Sequence, residues 1–146
     1  MSYEAHSVLL RDELMTSSPA GMVVLIYEEA IRALKTAIRA VEAGDITARH
    51  ANVSRAMDVI AHLYGCLDME NGGEIAENLG RLYRFVLSRL VTVEPTNDPA
   101  GARDAIRLLE PLLLSWRAID EVPAGLEMVP VAAPAASEAN GAHAAA

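Results

Sequence analysis

Asn71-Gly72-Gly73 interrupts the chain near the middle of its patterned part, inside the phrase Leu67-Asp68-Met69-Glu70-Asn71-Gly72-Gly73-Glu74-Ile75. Adjacent glycines lose much backbone entropy on ordering and readily take positive φ, so no helix continues across them. Glu74 then sets a carboxylate beside the positive end of a new helix, and Ile75, Leu79 and Leu82 restart a helical rhythm. Two long helical patterns precede this break and two follow it. One reversal between two helical hairpins predicts an all-α fold, an antiparallel up-down four-helix bundle.

Each helix carries its own boundary signals. Ser18-Pro19 opens the first, with a hydroxyl that accepts an orphan N–H and a proline whose missing N–H has no partner at that position anyway. Val24, Tyr27, Ile31, Leu34, Ile38 and Val41 follow at alternating spacings of three and four. Beside that seam runs a stripe of Ala30, Ala33, Ala37 and Ala40, headed by Val23 and Ile26, so the helix is predicted to be buried on two sides. Gly44 ends it and Asp45 caps the second helix, whose apolar positions are Ile46, Val53, Met57, Ile60, Leu63, Tyr64 and Leu67. Arg49, Arg55 and Asp58 are expected in water. So short a connection makes helices one and two antiparallel neighbours. The third helix is read from Ile75, Leu79, Leu82, Val86, Leu90 and Val93, and residues 93–99 are read as a loop. The fourth is read from Ala102, Ile106, Leu109, Leu113 and Trp116, with Pro111 inside it and a kink expected nearby.

The two ends differ from this middle. Residues 1–17 hold the cluster Val8-Leu9-Leu10 with Leu14 and Met15, too short for a stable isolated helix yet too apolar for water. They are expected to form a cap segment on the bundle, which occupies residues 18–120. From residue 121 to 146 the chain is rich in Ala and Pro, has no basic residue and no stripe, and is expected to be a disordered tail.

Composition narrows the function. With one Phe and one Trp, the core must be aliphatic and rich in alanine. A formal charge of −8, with bases scattered among acids, repels phosphate backbones and argues against a nucleic-acid partner. No uncharged apolar run reaches the length of about 18 residues needed to span a bilayer, so membrane insertion is not expected. The opening residues lack the basic segment and apolar run of a signal peptide. Cys66 is the only cysteine, which excludes an internal disulfide and suits a reducing cytoplasm.

Catalytic chemistry finds little to work with. Asp58, His62 and Cys66 share a helix face, but one helix supplies too few ligands for a metal. A di-iron carboxylate site needs Glu-x-x-His pairs, and Thr47 and Val59 stand where His50 and His62 require glutamate. Glu28 and Glu29 read as solvated acids. Ser54 and Ser88 lie within helices, and Cys66 sits at a helix C-terminus, the wrong end to lower a thiol pKa. Neither an enzyme nor a cofactor is expected. Apolar surface remains, and it suggests a groove for an amphipathic helix. Its lining candidates are Val23, Ile26, Tyr27, Ala30, Leu79 and Tyr83, with Leu9, Leu10 and Leu14 as the cover when it is empty. The competing classes are a metal-binding or catalytic bundle and a structural helical dimer.

Thr16, Ser18 and Pro19, the run Leu25-Ile26-Tyr27-Glu28-Glu29-Ala30-Ile31, then Glu42, Gly44 and Asp45, then LDMENGGEIAENLGRLY, then Trp116 occur in an order and spacing that resembles the flagellar secretion chaperone family (FliS-type). The match covers roughly residues 14–119, and its central phrase is specific. The resemblance implies a cytosolic, non-enzymatic export chaperone that binds the disordered C-terminal segment of flagellin. That segment folds on the bundle as it binds, is kept from premature polymerisation, and stays competent for flagellar type III secretion. The resemblance further implies contacts with the flagellar export gate and with an anti-sigma factor. Leu9 stands where the family carries a tyrosine, and Pro111 and the Ala/Pro-rich tail also depart from its pattern.

Overall fold

Serine 18 does two things at the first helix boundary. Its Oγ accepts from the Gly21 N–H at 3.0 Å, capping the helix, and donates to Asp120 Oδ1 at 2.7 Å, tying the start of the first helix to the end of the last. The computed structural model describes residues 18–122. Its helices are α1 (Pro19–Ala43), α2 (Ile46–Gly65), α3 (Gly73–Leu90), the single turn α4 (Val93–Thr96) and α5 (Ala100–Asp120). The four long ones form a bundle in which α1 packs on α2 and α5, and α3 packs on the same two. So α1 and α3 are diagonal. Direction is written in the ion pairs between α1 and α5, Glu28–Arg117, Lys35–Glu110 and Glu42–Arg103, where one number rises as the other falls.

The boundary signals act as read. Gly44 takes φ +71 and Asp45 Oδ1 accepts from the Ala48 N–H at 3.0 Å. Both stripes of α1 face the core, with Tyr27, Ala30, Ala33, Leu34 and Ala37 fully enclosed and Ile38 and Val41 half-buried. At the central reversal the Asp68 carboxylate accepts from the Asn71 N–H at 3.0 Å and from the Asn71 side-chain amide at 3.2 Å, and the Asp68 carbonyl accepts from the Gly72 N–H at 2.7 Å. Each glycine has its own reason. A β-carbon on Gly72 would lie 2.5 Å from the Asp68 carbonyl oxygen and from Ala76 Cβ, and Gly73 holds φ +59.

Several expectations are corrected. Ile75 is 55% exposed, and the core face of α3 is Ala76, Leu79, Tyr83, Val86 and Leu90. The tight turn leaves room beside Gly72 only for a small side chain, which turns Ala76 inward. Ile46, in the first turn of α2, points outward, and Ala56 and Val59 fill the α2 core face instead. Residues 93–99 include a helical turn anchored by fully buried Val93; Asn97 then takes φ +51 and Asp98 Oδ1 accepts from the Ala100 N–H at 2.9 Å. Glu29 is not solvated. At 3% exposure it accepts from Arg32 at 2.9 and 3.0 Å and from Arg55 of α2 at 2.8 Å, so Arg55 also turns in from the water. Arg49 likewise folds over the surface, donating to Asn97 Oδ1 at 2.7 Å. α5 stays helical through Pro111, which lies with Arg107 on the exposed face, where water reaches the carbonyl that the proline cannot serve.

The turn makes a testable demand. Gly73→Ala should destabilise the bundle by about 1 kcal/mol, since the left-handed backbone resists the methyl group, and Gly73→Asn should recover part of that. Gly72→Ala should cost more, about 1–3 kcal/mol, because its β-carbon meets backbone. Urea unfolding followed by circular dichroism separates the three variants.

Candidate functional site: the flanks of the third helix

Polar closure of the bundle is one-sided. Three ion pairs line the seam between α1 and α5, and the Glu29–Arg32–Arg55 cluster closes the seam between α1 and α2. The flanks of α3 are different. Toward α5, Arg89 Nε meets Asp104 Oδ2 at 3.1 Å. A β-carbon on Gly101 would clash with the Arg89 carbonyl, so the helices touch closely at this end. Helical spacing from Arg89 and Asp104 then brings Phe85 level with Leu108, Leu82 with Leu112, and Ile75 with Ile119. Leu82, Leu108, Leu112 and Ile119 are half-buried against the core, while Phe85 is 50% and Ile75 55% exposed. These side chains make an apolar strip about three helical turns long, a shallow groove in register with the Arg89–Asp104 pair at its end and with no other ion pair between α3 and α5 among the described residues. Toward α2, Arg84 lies over the ring of Tyr64, 6.0 Å from its centroid, beside half-buried Met57 and Leu87 and exposed Met69 and Val91.

The six residues expected to line a groove are interior in this conformation. Val23, Ile26, Tyr27, Ala30, Leu79 and Tyr83 all belong to the packed core. Leu9, Leu10 and Leu14 lie outside the described residues. Tyr27 and Tyr83, read from sequence as groove or edge positions, bury their hydroxyls against each other at 2.5 Å, with ring centroids 6.4 Å apart in an edge-on arrangement. The Trp116 side chain approaches the Tyr27 hydroxyl as well. Burial pushes the Tyr27 pKa up, against the opposing hydrogen bonds from Tyr83 and Trp116; burial and the neighbouring Tyr27 push that of Tyr83 higher still. Sequence reading missed Phe85, Leu108 and Leu112. The available signal was the chain's single phenylalanine lying off the apolar seam of its helix.

The lone thiol forms no site of its own. Cys66 Sγ lies 3.6 Å from His62 Nε2, and burial raises its pKa, which favours the unreactive thiol. Among the described residues no three His, Cys, Asp or Glu side chains gather as metal ligands, and no helix is long and apolar enough to cross a membrane.

A four-helix bundle that leaves apolar side chains exposed along the flanks of one helix is the class of protein this fold defines. The chain matches the family model described as "Flagellar protein FliS" over residues 1–123. It is 31% identical over 116 residues to the flagellar secretion chaperone FliS of Vibrio cholerae, spanning 80% of this chain and 83% of that protein. It is 32% identical over 113 residues to that of Salmonella typhimurium, spanning 77% and 84%. To FliSB of Pseudomonas aeruginosa it is 29% identical, spanning 77% and 89%. The chain belongs to the FliS family of flagellar secretion chaperones.

The buried tyrosines set an alkaline limit. Their folded pKa values lie above the unfolded value of about 10, so their contribution is intact below pH 10 and is lost as the unfolded chain ionises above it. Stability should therefore fall above about pH 10, with a slope approaching 1.4 kcal/mol per pH unit per tyrosine. Denaturant titrations from pH 8 to 11 on the wild type and on the double variant Tyr27→Phe/Tyr83→Phe check this. The double variant should show a shallower fall.

Proposed function

We propose that this protein is a cytosolic, non-enzymatic chaperone that holds the disordered C-terminal segment of flagellin in the apolar grooves flanking α3, above all the one between α3 and α5. Membership of the FliS family supports the secretion role. The observation that carries the site is the contrast in lining: charged side chains border both flanks of α1, including the open cleft of about 420 Å³ between α1 and α5, while the strip between α3 and α5 presents Phe85, Ile75 and a half-buried row of leucines. An amphipathic helix with anchors spaced three and four residues apart fills such a groove by burying apolar area, with little demand for a particular sequence. Segments that drive filament assembly are then masked until secretion. Engagement of the export gate and of an anti-sigma factor extends this reading and rests on the resemblance alone.

In the same reading the N-terminal segment is the competing occupant. Ser18, where the described chain begins, hydrogen-bonds Asp120, next to Ile119 at one end of the groove. Leu9, Leu10 and Leu14 supply the apolar cover. Val23, Ile26, Tyr27, Ala30, Leu79 and Tyr83 support the groove from the packed layer beneath it.

Calorimetric titration with a flagellin C-terminal peptide tests the whole reading. Wild type should bind and the peptide should gain helix. Phe85→Asp combined with Leu112→Asp should weaken binding at least tenfold with the bundle's helical content retained, and Arg39→Asp, on the exposed face of α1, should change it less than twofold. Deleting residues 1–14 should tighten binding by removing the competitor. Failure of the wild type to bind, or indifference to the groove charges, would sink the proposal.

A further inference from the structure

The two walls of the α3–α5 groove are not held in the same way. The α5 wall is fastened to α1 by three ion pairs spread along its length, at Arg103, Glu110 and Arg117. The α3 wall lies diagonally opposite α1, and among the described residues a single hydrogen bond joins them, between the hydroxyls of Tyr27 and Tyr83. Both side chains are buried, so neither hydroxyl finds water if the other is removed. The other polar ties of α3 run from exposed or half-buried arginines to the neighbouring helices, Arg89 to Asp104 at 3.1 Å and Arg84 to the Tyr64 hydroxyl at 3.3 Å; the rest is aliphatic packing, which is non-directional and tolerates sliding and rotation. Tyr83 directly follows Leu82, one of the groove's own residues, and Trp116 lies one turn beyond Leu112 in the opposite wall, with its side chain approaching the Tyr27 hydroxyl.

We infer that the Tyr27–Tyr83 hydroxyl pair is the positioning contact of the groove: it fixes the rotation and spacing of α3 against a rigid α1–α5 unit, so partner affinity depends on two buried atoms the partner never touches. The inference rests on the groove being the flagellin-segment site and adds how that site is preorganised. A groove already held at its binding width loses less freedom on association than one that must be ordered by its ligand.

Tyr27→Phe and Tyr83→Phe each remove one hydroxyl from the full-length chain. Both variants should keep their far-ultraviolet circular dichroism. Amide hydrogen exchange should accelerate over residues 79–90 of α3, with the α1–α2 seam at residues 53–60 unchanged, and the near-ultraviolet signal of Trp116, the only tryptophan, should change. Affinity for the flagellin C-terminal peptide should drop at least fivefold in either variant and in the double variant, which loses the same bond but strands no hydroxyl. Exchange that rises equally in every helix, or that does not rise in α3, overturns the inference, as does binding kept within twofold. If one variant fails to fold, the other removes the same bond. If the wild type itself does not bind the peptide, the groove reading has failed, and the exchange pattern alone decides whether the hydroxyl pair positions α3.

Discussion

Close approach to α1 is the constraint on which the bundle depends. Alanine at 30, 33, 37 and 40 gives the first helix a face no thicker than a methyl group, and α2 and α5 close on it from two sides. The distance between packed helices follows the side chains at the contact, so small residues draw both neighbours near and leave the polar ends of longer side chains to meet along the seams. There Glu28, Lys35 and Glu42 find Arg117, Glu110 and Arg103. Exposed pairs of this kind contribute about 0–1 kcal/mol each, so they do not hold the fold by themselves. Their effect is on access, since a seam roofed by charged groups is a poor site for an apolar segment. Glu29 is the exception in energy: nearly enclosed, it depends on Arg32 and Arg55, and a buried carboxylate deprived of its partners would be strongly destabilising.

Burying α1 on both flanks has a consequence on the other side of the molecule. Not every apolar residue finds a place in the core: Ile46 and Leu114 are exposed elsewhere, and the rest of the exposed large apolar side chains lie on or beside α3. Leu82, Leu108, Leu112 and Ile119 lean on the core and so stabilise the empty bundle, while Phe85 and Ile75 remain in water. That division suits a chaperone. The groove is held together without its ligand, yet keeps enough exposed apolar area to gain from being covered.

The helix boundaries were legible in the sequence because they are local. Ser18-Pro19, Gly44-Asp45 and Gly72-Gly73 each satisfy or free backbone groups within a few residues, and each does so in the structure. The face of α3 was not legible, because Leu79, Val86 and Leu90 fit two rotations. The choice between them rests on Ala76 and Gly80, small side chains that carry no hydrophobic signal but sit where only a small group fits. The acidic cluster was misread for a related reason: the partner of Glu29 lies 26 residues away on another helix. The groove suffered from both. Tyr27 and Tyr83 read from sequence as groove-lining because a phenol combines an apolar body with a polar tip, and nothing local shows that the hydroxyls satisfy each other across 56 residues.

A core of leucine, isoleucine, valine and alanine explains why the bundle forms but not why its helices stop at one rotation. Aliphatic cores that conserve volume tolerate rearrangement and lose uniqueness before they lose stability. A buried hydroxyl pair behaves differently, since rotating either helix would leave two polar atoms without partners in a dry interior. Placing that pair between the two helices that share no seam fixes the diagonal, and with the diagonal fixed the four sides have little left to choose. With the apolar flank of one helix as the proposed working surface, the shape of the outside is thus set by a polar contact at the centre.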